Sequence, residues 1–126
     1  MKRLFLVLFV FGFISCSADK KQQDKEFIEQ MERSTLSDVK VISYEKADSL
    51  INGYLNYVKN YPEDSLCATY LYRAADVYAN TKRCIESIKT YDRLIAEYPD
   101  NVLVESAYFL KGIVFSQTCL NKEKAA

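Results

Sequence analysis

The chain has 126 residues, enough for one small domain. Its 17 basic residues balance 17 acidic ones, so it has no basic excess with which to hold nucleic acid or an anionic membrane face. The absence of histidine and the presence of only 3 glycines remove imidazole general-base chemistry and any Gly-rich phosphate loop.

Residues 1–15 read as an export signal. Met1-Lys2-Arg3 is a positive start, and Leu4 to Ile14 is an apolar run broken only by one glycine. A run this short falls below the roughly 20 apolar residues that a membrane span needs, but it suits a signal-peptide core. It ends in Phe13-Ile14-Ser15-Cys16, which resembles the bacterial lipoprotein signal, with Phe13 where Leu is usual. The resemblance implies that Cys16 becomes the acylated N-terminus and that the chain meets the membrane through that lipid. Each buried CH₂ of such a chain contributes about 0.8 kcal/mol. Ser17, rather than Asp, after the cysteine implies an outer-membrane position facing the periplasm. Processing removes Lys2 and Arg3 and no acid, so the remainder is slightly acidic. Export also places Cys67, Cys84 and Cys119 where disulfides are permitted. Their spacing matches no zinc pattern, and neither a metal nor a cofactor is expected.

Residues 16–42 begin with the lipidated cysteine and continue as a polar, charge-mixed stretch that reads as a tether. Phe27, Ile28 and Met31 supply at most one weak helical turn. A helical domain follows over 43–120. Its first helix runs from about Ser43 to Tyr61, because Ala47, Leu50, Ile51, Tyr54, Leu55 and Val58 recur at spacings of three and four. Ser43 caps its start and Pro62 stops it. Asp64 is the expected cap of a second helix that carries Cys67, Tyr70, Leu71, Ala74, Ala75 and Tyr78. Asn80-Thr81-Lys82 breaks the chain before a third helix, from about Arg83 to Tyr98, which Pro99 ends. Asn101 is the expected cap of a fourth, which reaches about Leu120. Residues 121–126 read as a tail or as the start of a missing helix. Short turns make sequential helices antiparallel, so the expected class is all-α, built of antiparallel helix hairpins.

Tyr54–Tyr78 is echoed by Tyr91–Phe115 at an offset of 37 residues. Tyr61-Pro62 falls on Tyr98-Pro99, Asp64 on Asn101, Ala75 on Gly112 and Tyr78 on Phe115. A period of about 20–50 residues marks a stacked repeat. Over 68–101, Leu71, Ala74, Ala75 and Tyr78, then Ser87, Tyr91, Leu94 and Pro99, resemble the pattern of the tetratricopeptide repeat. Leu94 stands in place of Ala and Ala74 in place of Leu. Small residues let paired helices approach, and aromatics fill the space between hairpins. The resemblance implies a short α-solenoid of about four helices. Together with the export signal, it is similar to two envelope scaffolds: the tetratricopeptide subunit of the β-barrel assembly machinery and the Tol–Pal-associated cell-division coordinator. Gly112 would admit a further helix that the chain does not supply, so a truncated member is one expectation. A complete bundle, with a sticky fourth helix that homodimerises, is the other.

In that family the concave face is lined by helix positions occupied here by Thr69, Tyr72, Asp76 and Asn80, and in the next copy by Phe109, Ile113 and Gln117. Tyr72 and Phe109 are aromatics that packing does not require, set among polar neighbours, as in a peptide groove. The expected partner is an envelope protein or peptide. The competing reading is an ordinary amphipathic surface on a structural or self-associating lipoprotein with no groove ligand. The carboxylates stand singly on helix surfaces, so no enzyme is expected. Cys84 begins the third helix and Cys119 ends the fourth. If those helices are antiparallel the two cysteines are opposite each other, which points to a Cys84–Cys119 disulfide; three buried thiols are the alternative.

Overall fold

The computed structural model describes residues 2–37 and 42–125. Every regular element among them is helical: α1 (Lys2–Leu36), α2 (Tyr44–Asn60), α3 (Cys67–Asn80), α4 (Cys84–Glu97), α5 (Val104–Val114), a π-helical turn (Phe115–Cys119) and α6 (Leu120–Ala125). Consecutive helices pack on one another from α1 to α5. The all-α expectation therefore holds.

α2 forms where its apolar stripe predicts, and Ala47, Leu50, Ile51, Tyr54, Tyr57 and Val58 are its buried face. Ser43 Oγ accepts the Lys46 N–H at 3.3 Å, satisfying one of the first-turn donors. Leu71, Ala74 and Ala75 of α3 and Ser87 and Leu94 of α4 are fully buried, and the two helices pack on each other. Ser87 Oγ donates to the Ala75 carbonyl at 2.8 Å, which lets a polar side chain sit in the crossing without an unmet hydrogen bond. Just past the end of α3, Lys82 takes a left-handed φ of 61°. The Arg83 N–H then closes back on the Tyr78 carbonyl at 2.9 Å, as in a Schellman turn.

The 37-residue echo is reproduced bond by bond at the two Tyr-Pro turns. Tyr61 and Tyr98 take nearly the same backbone angles, φ −132°, ψ 55° and φ −131°, ψ 57°. Their N–H groups close the preceding helices onto Tyr57 and Leu94, each at 2.9 Å. Asp64 and Asn101 stand two residues before the caps of α3 and α5, which are Leu66 and Leu103. Instead of capping the α-helices proper, their Oδ1 atoms accept the Leu66 and Leu103 N–H groups at 2.8 and 3.0 Å and fold a short turn that leads into α3 and α5. The second turn is tied to the first by Tyr98, whose hydroxyl donates to the Pro62 carbonyl at 2.8 Å.

The stretch expected to act as a tether is different. Residues 16–36 are the second part of α1, which runs antiparallel to α2 and docks on it. Ile28 is 1% exposed within the core, a burial that contributes roughly 1.5–3 kcal/mol. Gly53 makes room for this contact, because a Cβ there would stand 2.6 Å from Met31 Cε and 3.4 Å from Ile28 Cγ1. Polar contacts follow along the helix. Lys21 pairs with Asp64, Asp24 accepts from the Tyr61 hydroxyl at 2.7 Å, and Glu32 accepts from the Tyr54 hydroxyl and from Arg73, both at 2.6 Å. One apolar anchor and a row of charged contacts thus replace the continuous apolar stripe that marks the other helices. α1 gives α2, the first Tyr-Pro helix, a packing partner besides α3.

Between α2 and α3 the space is filled by rings. Tyr54 and Tyr57 lie 5.3 and 4.9 Å from Tyr70, centroid to centroid. The rings fill the volume and the Tyr54 hydroxyl reaches Glu32 at the polar edge, whereas the Tyr57 hydroxyl is buried with no hydrogen-bond partner among the described residues.

Candidate binding face and anchor

The residues expected to line one groove fall into three environments. Thr69 is half-buried beside α1 and lines a cavity of about 340 Å³ with Lys25, Glu29, Arg33 and Arg73. It therefore faces the docked N-terminal helix. Tyr72 and Asp76 turn toward α4. The Tyr72 ring packs edge-on against Tyr91 at 5.8 Å and 75°, and Asp76 Oδ1 accepts the Tyr91 hydroxyl. Burial raises the Asp76 carboxyl above the usual carboxylate range, and the Tyr91 bond pulls it partly back. The Tyr91 phenol is pushed up by burial and then by Asp76, and the Tyr72 phenol likewise. Asp76 is thus committed to a contact between helices rather than displayed beside Tyr72. Asn80, the last residue of α3, is exposed.

The α5 members are the outward ones. Phe109 is 69% exposed, Ile113 is half-buried, and Gln117 is exposed in the π-helical turn. Tyr108 and Phe115, which the groove pattern omits, are also exposed, at 58% and 54%. Gly112 lies between them, and a Cβ built on it meets nothing within 4 Å. The signal for this face was present in the repeat. By the 37-residue offset, Tyr108, Gly112 and Phe115 correspond to Leu71, Ala75 and Tyr78. Leu71 and Ala75 are fully covered where α4 packs on α3. The opposite side of α5, through Ala107 and Val114, is buried against α4, and Lys111 pairs there with Asp92.

Cys84 and Cys119 form a disulfide, with Cα atoms 5.6 Å apart. The wider π-helical turn positions the second cysteine. In a regular α-helix the residue above Val114 on the same face would be Thr118, four positions on. One extra residue in the turn carries Cys119 onto the stripe that faces α4. The turn also continues the helix into α6, so residues 120–125 extend the fourth helix of the sequence reading rather than beginning its partner. Cys67 is a buried free thiol whose Sγ donates to the Tyr61 carbonyl at 2.9 Å, and burial pushes it above its usual pKa.

Cys16 is free and exposed on α1, five residues before Lys21, which pairs with Asp64 of the body. The side chains of the signal stretch 1–15 lie outside the described residues. No helix among the described residues is long and apolar enough to cross a membrane. Comparison of the chain with protein-family models, with curated proteins and with solved structures finds no match.

Proposed function

We propose that the chain is a lipid-anchored scaffold of the tetratricopeptide type, acylated at Cys16 and held at the outer membrane on its periplasmic side, where it binds a protein or peptide of the envelope. The observation that carries this reading is the paired Tyr-Pro turn, repeated at 37 residues with matching backbone angles and hydrogen bonds. Small residues at the α3–α4 crossing support it, since close helix approach is what those positions of the repeat serve. In this reading the protein contributes surface and no catalysis. Aromatic anchors beside polar groups are the usual energetic centre of a binding face. Phe109, with Ile113 and Gln117 beside it and Tyr72 on α3, is the proposed contact set.

The test is a crosslinking pull-down from envelopes of cells that express the full chain, with Tyr72→Ala/Phe109→Ala as the comparison and circular dichroism as the fold control. Loss of the captured protein in the folded variant supports the reading, and unchanged capture sinks the groove. Globomycin, which blocks lipoprotein signal cleavage, should leave an unprocessed precursor if Cys16 is acylated.

A second reading, a self-associating helical lipoprotein with no groove ligand, draws on the α5 face. Tyr108 and Phe115 flank the uncovered Gly112 there and make a surface able to pack on a second copy. Sedimentation of the soluble domain, with and without Tyr108→Ser/Phe115→Ser, separates the two readings.

A further inference from the structure

The docking of α1 sets where any membrane must lie relative to the bundle. α1 and α2 are antiparallel, as the pairs Lys21–Asp64, Asp24–Tyr61 and Glu32–Tyr54 show. The Cys16 end of α1 therefore lies at the Tyr61-Pro62 end of α2. Tyr98 binds the Pro62 carbonyl, so the second Tyr-Pro turn shares that end. The Cys84–Cys119 bridge and the α3–α4 turn lie at the other end, one helix length away. α2 has 17 residues, which makes the separation about 25 Å at 1.5 Å per residue.

Only Ser17 to Lys20 lie between Cys16 and Lys21, whose side chain pairs with Asp64. As helix, the step from Cys16 to Lys21 spans about 7.5 Å, and even fully extended it reaches at most about 18 Å. Neither length equals the length of the bundle. We infer that a lipid on Cys16 holds the end bearing the two Tyr-Pro turns against the membrane and presents the Cys84–Cys119 end away from it. The inference rests on the proposed acylation of Cys16 and adds an orientation that a flexible tether would not impose. The membrane-facing surface is then the exposed Pro62, Glu63, Pro99 and Asp100 with Val102. The α5 face lies along the side of the bundle, where a protein partner can reach it.

The test places a photo-crosslinking residue at position 63, 100 or 85 of the full chain. Each variant is purified from bacterial membranes and reconstituted in phosphatidylethanolamine–phosphatidylglycerol vesicles, and the mass of the N-terminal peptide reports acylation of Cys16. Positions 63 and 100 are exposed at the Tyr-Pro end, and Ile85 is exposed at the bridge end. Phospholipid adducts should be strong at 63 and 100 and lost at 85. An insertion of about 30 Gly/Ser residues after Ala18, a coil of roughly 30 Å, should erase the contrast. Equal adducts at all three positions in acylated protein, or stronger adducts at 85, would overturn the orientation and leave the lipid anchor standing. A contrast that survives the insertion would overturn the anchor as its cause. An N-terminal peptide without acyl mass would overturn both the orientation and the anchor.

Discussion

The Tyr91 hydroxyl of α4 donates its hydrogen bond to Asp76 Oδ1 of α3, so a carboxylate that the repeat pattern assigns to a groove instead ties two helices together. Tyr91→Phe keeps the ring in the core and leaves the half-buried carboxylate without that donor, at an expected cost of about 1–3 kcal/mol. The pH dependence carries a sign. Burial raises the folded Asp76 pKa, and the lost hydrogen bond had been lowering it, so the variant raises it further. A group with a raised folded pKa contributes stability that is fully present below its unfolded pKa and is lost as pH rises through the folded one. The melting deficit of Tyr91→Phe should therefore be largest near neutrality and shrink as pH falls through the carboxylate range. A deficit that stays constant across that range would show that the hydrogen bond is not the cause.

The two helical glycines of the domain should respond differently to a side chain. At Gly112 a Cβ meets open space, so Gly112→Ala should stabilise the isolated protein by about 1 kcal/mol through helix propensity alone. At Gly53 the same change presses only on the flexible end of Met31 and should be close to neutral. Gly53→Leu has no room beneath Ile28 and Met31 and should cost roughly 1–3 kcal/mol, with the loss concentrated in α1. Hydrogen exchange of residues 20–36 reads this directly. Unaltered protection there in Gly53→Leu would contradict the docking of α1 on α2.

Reduction of the Cys84–Cys119 bridge, or Cys84→Ser/Cys119→Ser, should lower stability by about 2–4 kcal/mol, as expected for a closed loop of this size. Because the bridge holds Cys119 on the α4 side, its removal should also let the π-helical turn relax to ordinary α-helix, moving Thr118 inward. Thermal melts with and without reductant test the first claim, and amide chemical shifts over 114–120 test the second. Cys67→Ala should leave the oxidised mobility of the protein unchanged.

Asp64 links helix α1 to the first Tyr-Pro turn. Burial alone would raise its carboxyl, but Lys21 and the Leu66 N–H hold it below its usual pKa. A depressed folded pKa gives stability that is present above the unfolded value, about 4, and lost as pH falls through the folded one. Exchange protection of α1 should thus weaken in that acid window, and less so in Asp64→Asn, which lacks the titration. Equal acid sensitivity in the two proteins would assign the effect to other carboxylates.

The sequence by itself determined what depends on local chain chemistry. Pro62 and Pro99 stop α2 and α4, the three-and-four spacing of Leu50, Ile51 and Tyr54 makes one helix face, and Tyr61-Pro62 and Tyr98-Pro99 fold alike because the same residues meet the same backbone constraints. The tertiary structure alone decided what depends on a surface elsewhere in the chain. Ile28 and Met31 are too few to mark a core helix, and only Gly53, far along the sequence, leaves the gap into which they fit. Asp76 looks like a surface carboxylate until Tyr91 reaches it. Antiparallel helices already set Cys84 and Cys119 at one end of the bundle in the sequence, and the disulfide forms there; the extra residue in the helical turn that rotates Cys119 onto Cys84 is signalled by no periodicity of three or four. Helix periodicity is local and legible one turn at a time. Docking is complementarity between distant surfaces, and it exists only once the helices are side by side.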